Sequence, residues 1–169
     1  MLVLASEILD LPVLGLQTGT KLATVSDIVI ARETGMVLGL SVGNNQVIVS
    51  NDIREVQPDM VVIDSYEDLT DTEDVMRIYE VLKEKFSLMG MHVETEMGSK
   101  IGKVYDYAIN LKGSKLAKLY VRPNMIKSLL ADENIIDVKQ IVTINKDKIV
   151  VKDGTKKLPA AVVQPAFDG

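Results

Sequence analysis

The sequence predicts a mainly β protein built from two small β-barrels, which arose by tandem duplication and are joined by an amphipathic α-helix. The first observation is internal similarity: with a shift of 79 positions, residues 19–42 and 98–121 are identical at seven of 24 positions. Composition alone would give roughly one or two identities. The second observation is an aromatic content of 4% without tryptophan, so the core must be aliphatic. Branched aliphatic side chains typically fill small barrels.

The similarity resumes further along the chain at a shift of 88. Residues 46–63 align with residues 134–151: Ile53 and Asp59 are identical to Ile141 and Asp147. Four further pairs stay aliphatic, namely Val47/Ile135, Val56/Ile144, Val61/Ile149 and Ile63/Val151. The second copy therefore contains about nine extra residues near 122–133. We divide the chain into three parts by number: a first barrel at 1–66, a connector at 67–90, and a second barrel with an extended tail at 91–169.

Each copy begins with strands whose alternation of apolar residues is interrupted. The phrase "KLATVSDIVI" shifts phase near Ala23, as its counterpart does near Gly102, and again over 25–28. An interrupted alternation with a small residue predicts a β-bulge or a sharp bend. The Thr34-Gly35 pair then predicts a turn that leads into the next strand.

The end of each copy predicts short strands around one helical turn. The segment "QVIVS" is an apolar strand, and Ile53 and Val56 are spaced three apart, which fits a single turn pinned to the core. Pro58 and Asp59 predict a tight turn before a last strand, "MVVI". A small set of short strands with tight turns favours a closed barrel, since closure removes the sheet edges.

A helix is predicted between the copies, over "TDTEDVMRIYEVLKEKF". Thr70 and Glu73 have capping-box spacing at its start, and Gly90 follows its end. Its apolar stripe must be packed against the protein; the stripe consists of Val75, Ile78, Tyr79, Leu82 and Phe86. The tail "KKLPAAVVQPAFDG" contains two prolines and is predicted to be extended.

Composition excludes several classes of site. The sequence has no cysteine and one histidine, which removes thiol nucleophiles, disulfides, thiolate zinc sites and multi-histidine metal sites. No apolar segment approaches the ~20 residues of a membrane span. Residues 1–16 are apolar but carry Glu7 and Asp10 and no basic region, so we do not expect a signal peptide. A cytoplasmic location fits this composition.

The net charge of −5 is unevenly distributed. Residues 1–90 hold 6 Lys/Arg and 15 Asp/Glu, whereas residues 91–169 hold 13 and 9. This asymmetry is consistent with a polar partner surface, with attraction between the halves, or with unevenly solvated faces.

These phrases together resemble the PRC-barrel family. The first copy contains the matching residues in "SEILDLPV" (6–13), "GTKLATVSDIVI" (19–30), "ETG" (33–35) and "VIVSNDIREV" (47–56), and the second copy in "GSKIGKVYDYAI" (98–109) and "IIDVKQIV" (135–142). The strand motif of this family contains two glycines. The second copy has both, Gly98 and Gly102, whereas the first copy has Ala23 in place of the second. The second copy lacks the segment with Ser-Glu and Pro-Val that begins the family motif and lies at residues 6–13 of the first copy. The resemblance implies a binding module without catalysis, and it carries over no catalytic residue.

Two sets of carboxylates are candidate cation ligands. Asp27 and Asp106 occupy equivalent positions, where they either bind a cation or, as we favour, accept backbone hydrogen bonds at a bend. The stretch 64–74 contains six acidic residues, but it lacks EF-hand spacing. Most of these acidic residues are explained by their place at the start of the predicted helix, where negative charge is favourable.

The remaining candidates for a functional site are the single histidine, the lysines of the second copy and the methionines. His92 has no nucleophile within sequence reach, and the sequence contains no phosphate-binding glycine motif. The lysines of the second copy could follow a phosphate backbone, although few aromatic residues accompany them: Lys100, Lys103, Lys112, Lys115, Lys118, Lys139, Lys146, Lys148, Lys152, Lys156 and Lys157. Methionines such as Met89, Met91 and Met97 could form an adaptable contact surface, but core filling is the favoured interpretation.

The favoured function is therefore a non-catalytic adaptor that binds a protein partner or forms a homodimer. No catalytic, cofactor-binding or metal-binding residue is predicted, and we expect no cofactor and no small-molecule substrate. The first alternative is a ribosome- or RNA-associated assembly factor that uses the basic half. The second is a metal-binding protein that uses Asp27, Asp106 or the 64–74 stretch.

Overall fold

The computed structural model describes residues 1–123 and 133–155, and it is mainly β. The predicted tail and most of the predicted insertion lie outside these residues. The described chain forms two short α-helices, α1 (Ala5–Ile8) and α2 (Met76–Lys83). In chain order the strands are β1 (Leu2–Leu4), β2 (Pro12–Gly15), β3 (Thr20–Thr24), β4 (Asp27–Ala31), β5 (Met36–Ser41), β6 (Gln46–Val49), β7 (Glu55–Gln57), β8 (Met60–Ile63), β9 (Thr70–Asp71), β10 (His92–Thr95), β11 (Lys100–Asn110), β12 (Lys115–Arg122), β13 (Asn134–Asp137), β14 (Ile141–Ile144) and β15 (Lys148–Val151).

The strand pairings confirm the predicted duplication. In the first half β2 pairs antiparallel with β3 and parallel with β8, and in the second half β10 pairs in the same way with β11 and β15. Likewise, β4, β5 and β6 are consecutive neighbours, as are β11, β12 and β13. The long strand β11 corresponds to both β3 and β4, because it pairs with β10 as β3 pairs with β2 and with β12 as β4 pairs with β5. The two similar phrases therefore occupy equivalent places in the fold.

The predicted local features are present in both halves. The register of β11 against β12 shifts between Val104 and Asp106, which is the predicted irregularity. Gly35 has φ +72° in the turn between β4 and β5, a left-handed conformation that glycine adopts without steric cost. A single 3₁₀ turn follows β6 at Ser50–Asp52, and another follows β13 at Val138–Gln140. The turn predicted over Ile53 and Val56 is wrong in position, since Ile53 follows the 3₁₀ turn and Val56 lies in β7.

The two halves are joined more closely than the sequence predicted. Strand β1, from the start of the chain, pairs antiparallel with β11 of the second half. Strands β5 and β12 also meet: the Val37 amide donates to the Ser114 carbonyl and the Leu116 amide to the Gly35 carbonyl, each at 2.8 Å. Through these contacts, strands of both halves belong to one 11-stranded sheet, while β3, β2, β8 and β7 form a second sheet.

A single aliphatic core extends through both halves, as the low aromatic content predicted. Its fully buried members include Val3, Ile8 and Val13 near the start of the chain and Ile149 and Val151 near the end of the described residues. Burying branched aliphatic side chains stabilises the fold by about 1.5–3 kcal/mol each. Two smaller clusters lie elsewhere, one around Val29, Val47 and Ile78, and one around Ala108, Tyr120 and Ile135.

The connector helix is shorter than predicted. Thr70 lies in β9, where it pairs with Val47 of β6, so the predicted capping box at Thr70 is wrong. A 3₁₀ turn at Thr72–Asp74 follows, and α2 begins only at Met76. Pairing with the edge of β6 fixes Thr70 in an extended conformation, which delays the helix. The helix is nevertheless packed, because Ile78 is 2% exposed against Val29 and Val47.

Gly90 does not terminate α2, which ends at Lys83. Instead, Gly90 adopts φ +81° before β10, and its amide donates to the Val104 carbonyl at 2.7 Å. Asp10 has φ +69° and makes the equivalent bond to Val25 at 2.9 Å. Residues 88–91 of the second copy therefore occupy the place of the initial segment around Asp10 in the first copy, although they lack its Ser-Glu and Pro-Val residues. Neither helix of the described chain is long and apolar enough to cross a membrane.

Candidate interaction surfaces

Asp106 is a buried structural carboxylate at the contact between the start of the chain and the second half. It is 7% exposed, and its Oδ1 accepts hydrogen bonds from the amides of Tyr107 at 2.9 Å and Ser6 at 3.1 Å. The Ser6 hydroxyl donates to Oδ2 at 2.5 Å. Both oxygens are therefore satisfied by backbone and hydroxyl donors, which confirms the favoured interpretation of this residue.

We expect Ser6→Ala to lower the free energy of unfolding by about 1–2 kcal/mol, because it leaves one oxygen of the buried Asp106 carboxylate without a donor. Urea unfolding followed by circular dichroism measures this difference. Ser26→Ala is the matched control, since the Ser26 hydroxyl bonds the Ser41 carbonyl at an exposed position. Equal stability of the two variants would contradict the role assigned to Ser6.

Asp27, the counterpart of Asp106, is exposed. Its Oδ1 accepts the Ile28 amide at 2.8 Å, which repeats the local bond made by Asp106. Among the described residues no donor reaches its other oxygen. Asp27 borders a cleft of about 290 Å³ between β4 and the segment that follows α2, and this cleft is lined further by Ile28, Val29, Ile30, Val81, Leu82, Lys85, Phe86, Ser87, Leu88 and Tyr107.

Three tyrosines of the second half have raised pKa values. Burial raises the pKa of Tyr107, and the nearby carboxylates of Asp27 and Asp106 raise it further. Burial also raises the pKa of Tyr105, whose hydroxyl donates to Glu133 at 2.8 Å, and of Tyr120, which packs edge-on to Tyr105. These three phenols therefore stay protonated in the folded protein above their ordinary value of 10.0.

This arrangement predicts alkaline destabilisation. A pKa that is raised on folding contributes stability below the unfolded value and loses it as the pH rises through the folded value. We expect the urea midpoint to be insensitive to these phenols up to about pH 10 and to fall above it. Urea unfolding at increasing pH, with phenolate absorbance as the second signal, measures this, and Tyr107→Phe should reduce the fall. Phenolate formation in the folded chain at the same pH as in urea would contradict it.

A row of basic side chains crosses four strands of the second half. The strand registers place Lys148 opposite His92, His92 opposite Lys103, and Lys103 opposite Arg122, and all four residues are exposed. Laterally paired residues project from the same face of a sheet, so the row spans roughly 15 Å. Lys148 contacts Glu94 at 2.6 Å, while Arg122 contacts Glu133 at 3.1 Å and lies over the Tyr105 ring at 3.9 Å.

The sequence identified Lys103 and Lys148 as candidates but did not place them beside His92 and Arg122. Only the strand register brings these residues together. Of the other predicted lysines, Lys156 and Lys157 lie outside the described residues. The interpretation of the methionines as core residues holds for Met91, which is 6% exposed, but is wrong for Met97, which is 85% exposed in the turn after β10.

Two further grooves occupy equivalent positions where the halves meet. Each lies between the hairpin turn of one half and the 3₁₀ turn and edge strand of the other. The first, of about 280 Å³, is bordered by Met1, Ile53, Val56 and Leu111. In the second, of about 370 Å³, Arg32 donates to Glu84 at 2.7 Å, and this guanidinium lowers the pKa of Glu84. The first groove is thus the more apolar.

Acidic side chains of the stretch 64–74 bind neighbouring backbone amides and a nearby arginine. Asp68 accepts the amides of Asp64 and Ser65 at 3.0 and 3.3 Å, and Asp64 contacts Arg54 at 2.7 Å. Within residues 1–123 and 133–155, no group of three or more His, Asp or Glu side chains is arranged to hold a metal ion.

Comparison with known proteins agrees with the repeated architecture. The model of the PRC-barrel domain family matches the chain twice, at residues 2–70 and 84–158. The second match begins before residues 88–91, so it includes the segment that the sequence motif had missed. No curated protein matches the chain.

Proposed function

Because the chain belongs to the PRC-barrel domain family, with two such domains in tandem, we propose that it is a non-catalytic adaptor that binds a protein partner in the cytoplasm. PRC-barrel domains serve as interaction modules, and the two copies here present extended surfaces rather than a converging set of reactive groups.

The observation that best supports this proposal is the pair of equivalent grooves beside the edge strands β7 and β14. Each groove combines apolar side chains with a strand edge that has no second strand partner within residues 1–123 and 133–155, and a partner segment can add to this edge by backbone hydrogen bonding. In β14 Val142 is 47% exposed and lines the second groove, so a partner segment there would contact it.

The proposal is tested by affinity capture with the tagged full-length chain, quantified by mass spectrometry. We expect one protein to be retained in near-stoichiometric amount, and we expect Val142→Glu to reduce its retention by about tenfold. Leu16→Glu is the matched control, because Leu16 is 49% exposed elsewhere on the surface. Light scattering of the purified chain separates self-association from capture of a different protein. Retention of no protein, together with a monomeric chain, would overturn the proposal.

The basic row supports RNA-associated assembly as the second candidate function. Binding to a phosphate backbone releases counterions, so its affinity falls steeply with salt concentration. For this candidate we expect the full-length chain to bind single-stranded RNA with strong salt dependence, and Lys103→Ala to lower both the affinity and the salt slope. Lys21→Ala is the control, since Lys21 is an exposed lysine in the first half. Binding that is unaffected by Lys103→Ala would contradict a role for the row.

A further inference from the structure

The second half contains a peptide-binding groove that is already occupied by the start of the chain. Strand β1 adds to the edge of β11, with Leu2 opposite Asn110, Val3 opposite Ile109 and Leu4 opposite Ala108. Two residues beyond β1, Ser6 donates its amide and its hydroxyl to Asp106. The bound segment thus consists of three aliphatic residues in extended conformation, one small residue, and a serine held by a carboxylate.

The first half contains the corresponding sheet edge, beside which α2 and residues 85–88 pack in place of a strand. The duplication aligns Asn110, Ile109, Ala108 and Asp106 with Ala31, Ile30, Val29 and Asp27 at a shift of 79. Among the described residues, β4 pairs only with β5, so the edge that corresponds to the β1-binding edge of β11 has no strand partner. The 290 Å³ cleft runs along this edge, and its opposite wall is formed by the last turn of α2 and residues 85–88.

Two polar groups in this cleft lack hydrogen-bond partners among the described residues. One is the second carboxylate oxygen of Asp27, whose counterpart on Asp106 accepts the Ser6 hydroxyl. The other is the hydroxyl of Tyr107, a residue that is 4% exposed overall and lines the cleft. Neither group belongs to the buried unpartnered atoms of the described residues, so both are accessible at the cleft, where a bound segment can reach them. An acceptor and a donor are therefore available for a bound backbone.

We propose that the cleft between β4 and α2 binds an extended segment of a partner protein, composed of three aliphatic residues, a small residue and a serine. The segment adds as a strand to β4, and its serine donates to Asp27, as Ser6 does to Asp106. This inference rests on the proposed adaptor function and specifies the chemistry of the partner. Strand addition supplies affinity through the main chain, and the serine–carboxylate bond sets the register.

The test uses the full-length chain and a fluorescent peptide with the sequence of residues 2–8, Leu-Val-Leu-Ala-Ser-Glu-Ile. Fluorescence anisotropy should show saturable binding, and amide NMR should show shifts at residues 27–31 and 81–88. We expect Asp27→Asn to weaken binding about tenfold, because a charge-assisted hydrogen bond is lost while the bond to the Ile28 amide is kept. Tyr107→Phe should weaken binding severalfold.

Matched controls isolate the contact. A peptide with alanine in place of serine should bind about tenfold more weakly to the wild-type chain, and it should show no further loss with Asp27→Asn, since both changes remove the same bond. Asp59→Asn, which removes an exposed acidic charge elsewhere, should leave binding unchanged. Thermal melting verifies that each variant is folded.

Three results would overturn the inference: no saturable binding, equal binding of the serine and alanine peptides, or NMR shifts at residues 106–110, which would show that the peptide displaces β1 instead. A partner captured equally by the wild-type chain and by Asp27→Asn would also overturn it, while leaving the adaptor function in place. Conversely, peptide binding that depends on Asp27, with no partner captured, would count against the adaptor function alone.

Discussion

Replacing Val3 with aspartate should destabilise the whole protein by about 4 kcal/mol or more. Val3 is fully buried in the core shared by the two halves, and it lies opposite Ile109 of β11. An aspartate here would place a carboxylate among aliphatic side chains with no partner, so it would either lose its hydration or be forced to take up a proton. Urea unfolding followed by tyrosine fluorescence measures the loss.

Leu2→Asp is the matched control, because Leu2 is the neighbouring residue on the same strand but is 36% exposed. We expect its cost to stay below about 1 kcal/mol. Equal effects of the two substitutions would show that β1 is not docked on β11. The Val3→Asp variant should also lose signal from both halves in a single transition, since one core connects them.

Gly102→Ala should cost about 3 kcal/mol or more. A Cβ atom at this position would overlap the carbonyl oxygen of Arg122 and crowd the backbone of Pro123, neither of which belongs to a side chain that could rotate away. The register of β11 against β12 or β10 would have to shift to relieve the clash.

Gly113→Ala is the control for Gly102→Ala. The nearest atom to a Cβ at Gly113 is the Asn110 side chain at 3.9 Å, so this change should alter the free energy of unfolding by less than about 1 kcal/mol. A Gly102→Ala protein as stable as the Gly113→Ala protein would mean that the two strands do not approach as closely as described.

The duplication explains why the first half tolerates alanine at the equivalent position. Strand β12 continues to Arg122 and brings its carbonyl against Gly102, whereas β5 ends at Ser41. In the described part of the chain, therefore, no strand approaches Ala23 as β12 approaches Gly102. The departure of Ala23 from the family motif thus reflects the length of a neighbouring strand.

Local features of the fold were predictable because short-range chemistry determines them. The turn at Gly35 depends on its left-handed φ, and the aliphatic core follows from the composition. The helical turn was placed too late in the sequence, because the 3₁₀ turn at Ser50–Asp52 precedes Ile53 and Val56 lies in β7. Repetition made these predictions stronger, since each pattern occurs twice in the chain.

The choice of strand partners was not predictable from the sequence. Nothing in "LVL" at residues 2–4 distinguishes a strand that pairs within its own half from one that pairs with β11. The start of α2 was misjudged because the edge of β6 competes for Thr70. The basic row and the cleft at Asp27 depend on strand register and on the comparison of the two copies, and neither is visible in a linear reading.

The position of β1 also has a consequence for biosynthesis. Ser6 leaves the ribosome 100 residues before Asp106, to which it binds. Until then the aliphatic segment of β1 lacks its strand partner β11, and chaperones or like strands of other nascent chains can engage it. Docking of β1 must therefore wait for synthesis of the second half, and this long-range contact adds a loop-closure cost to folding.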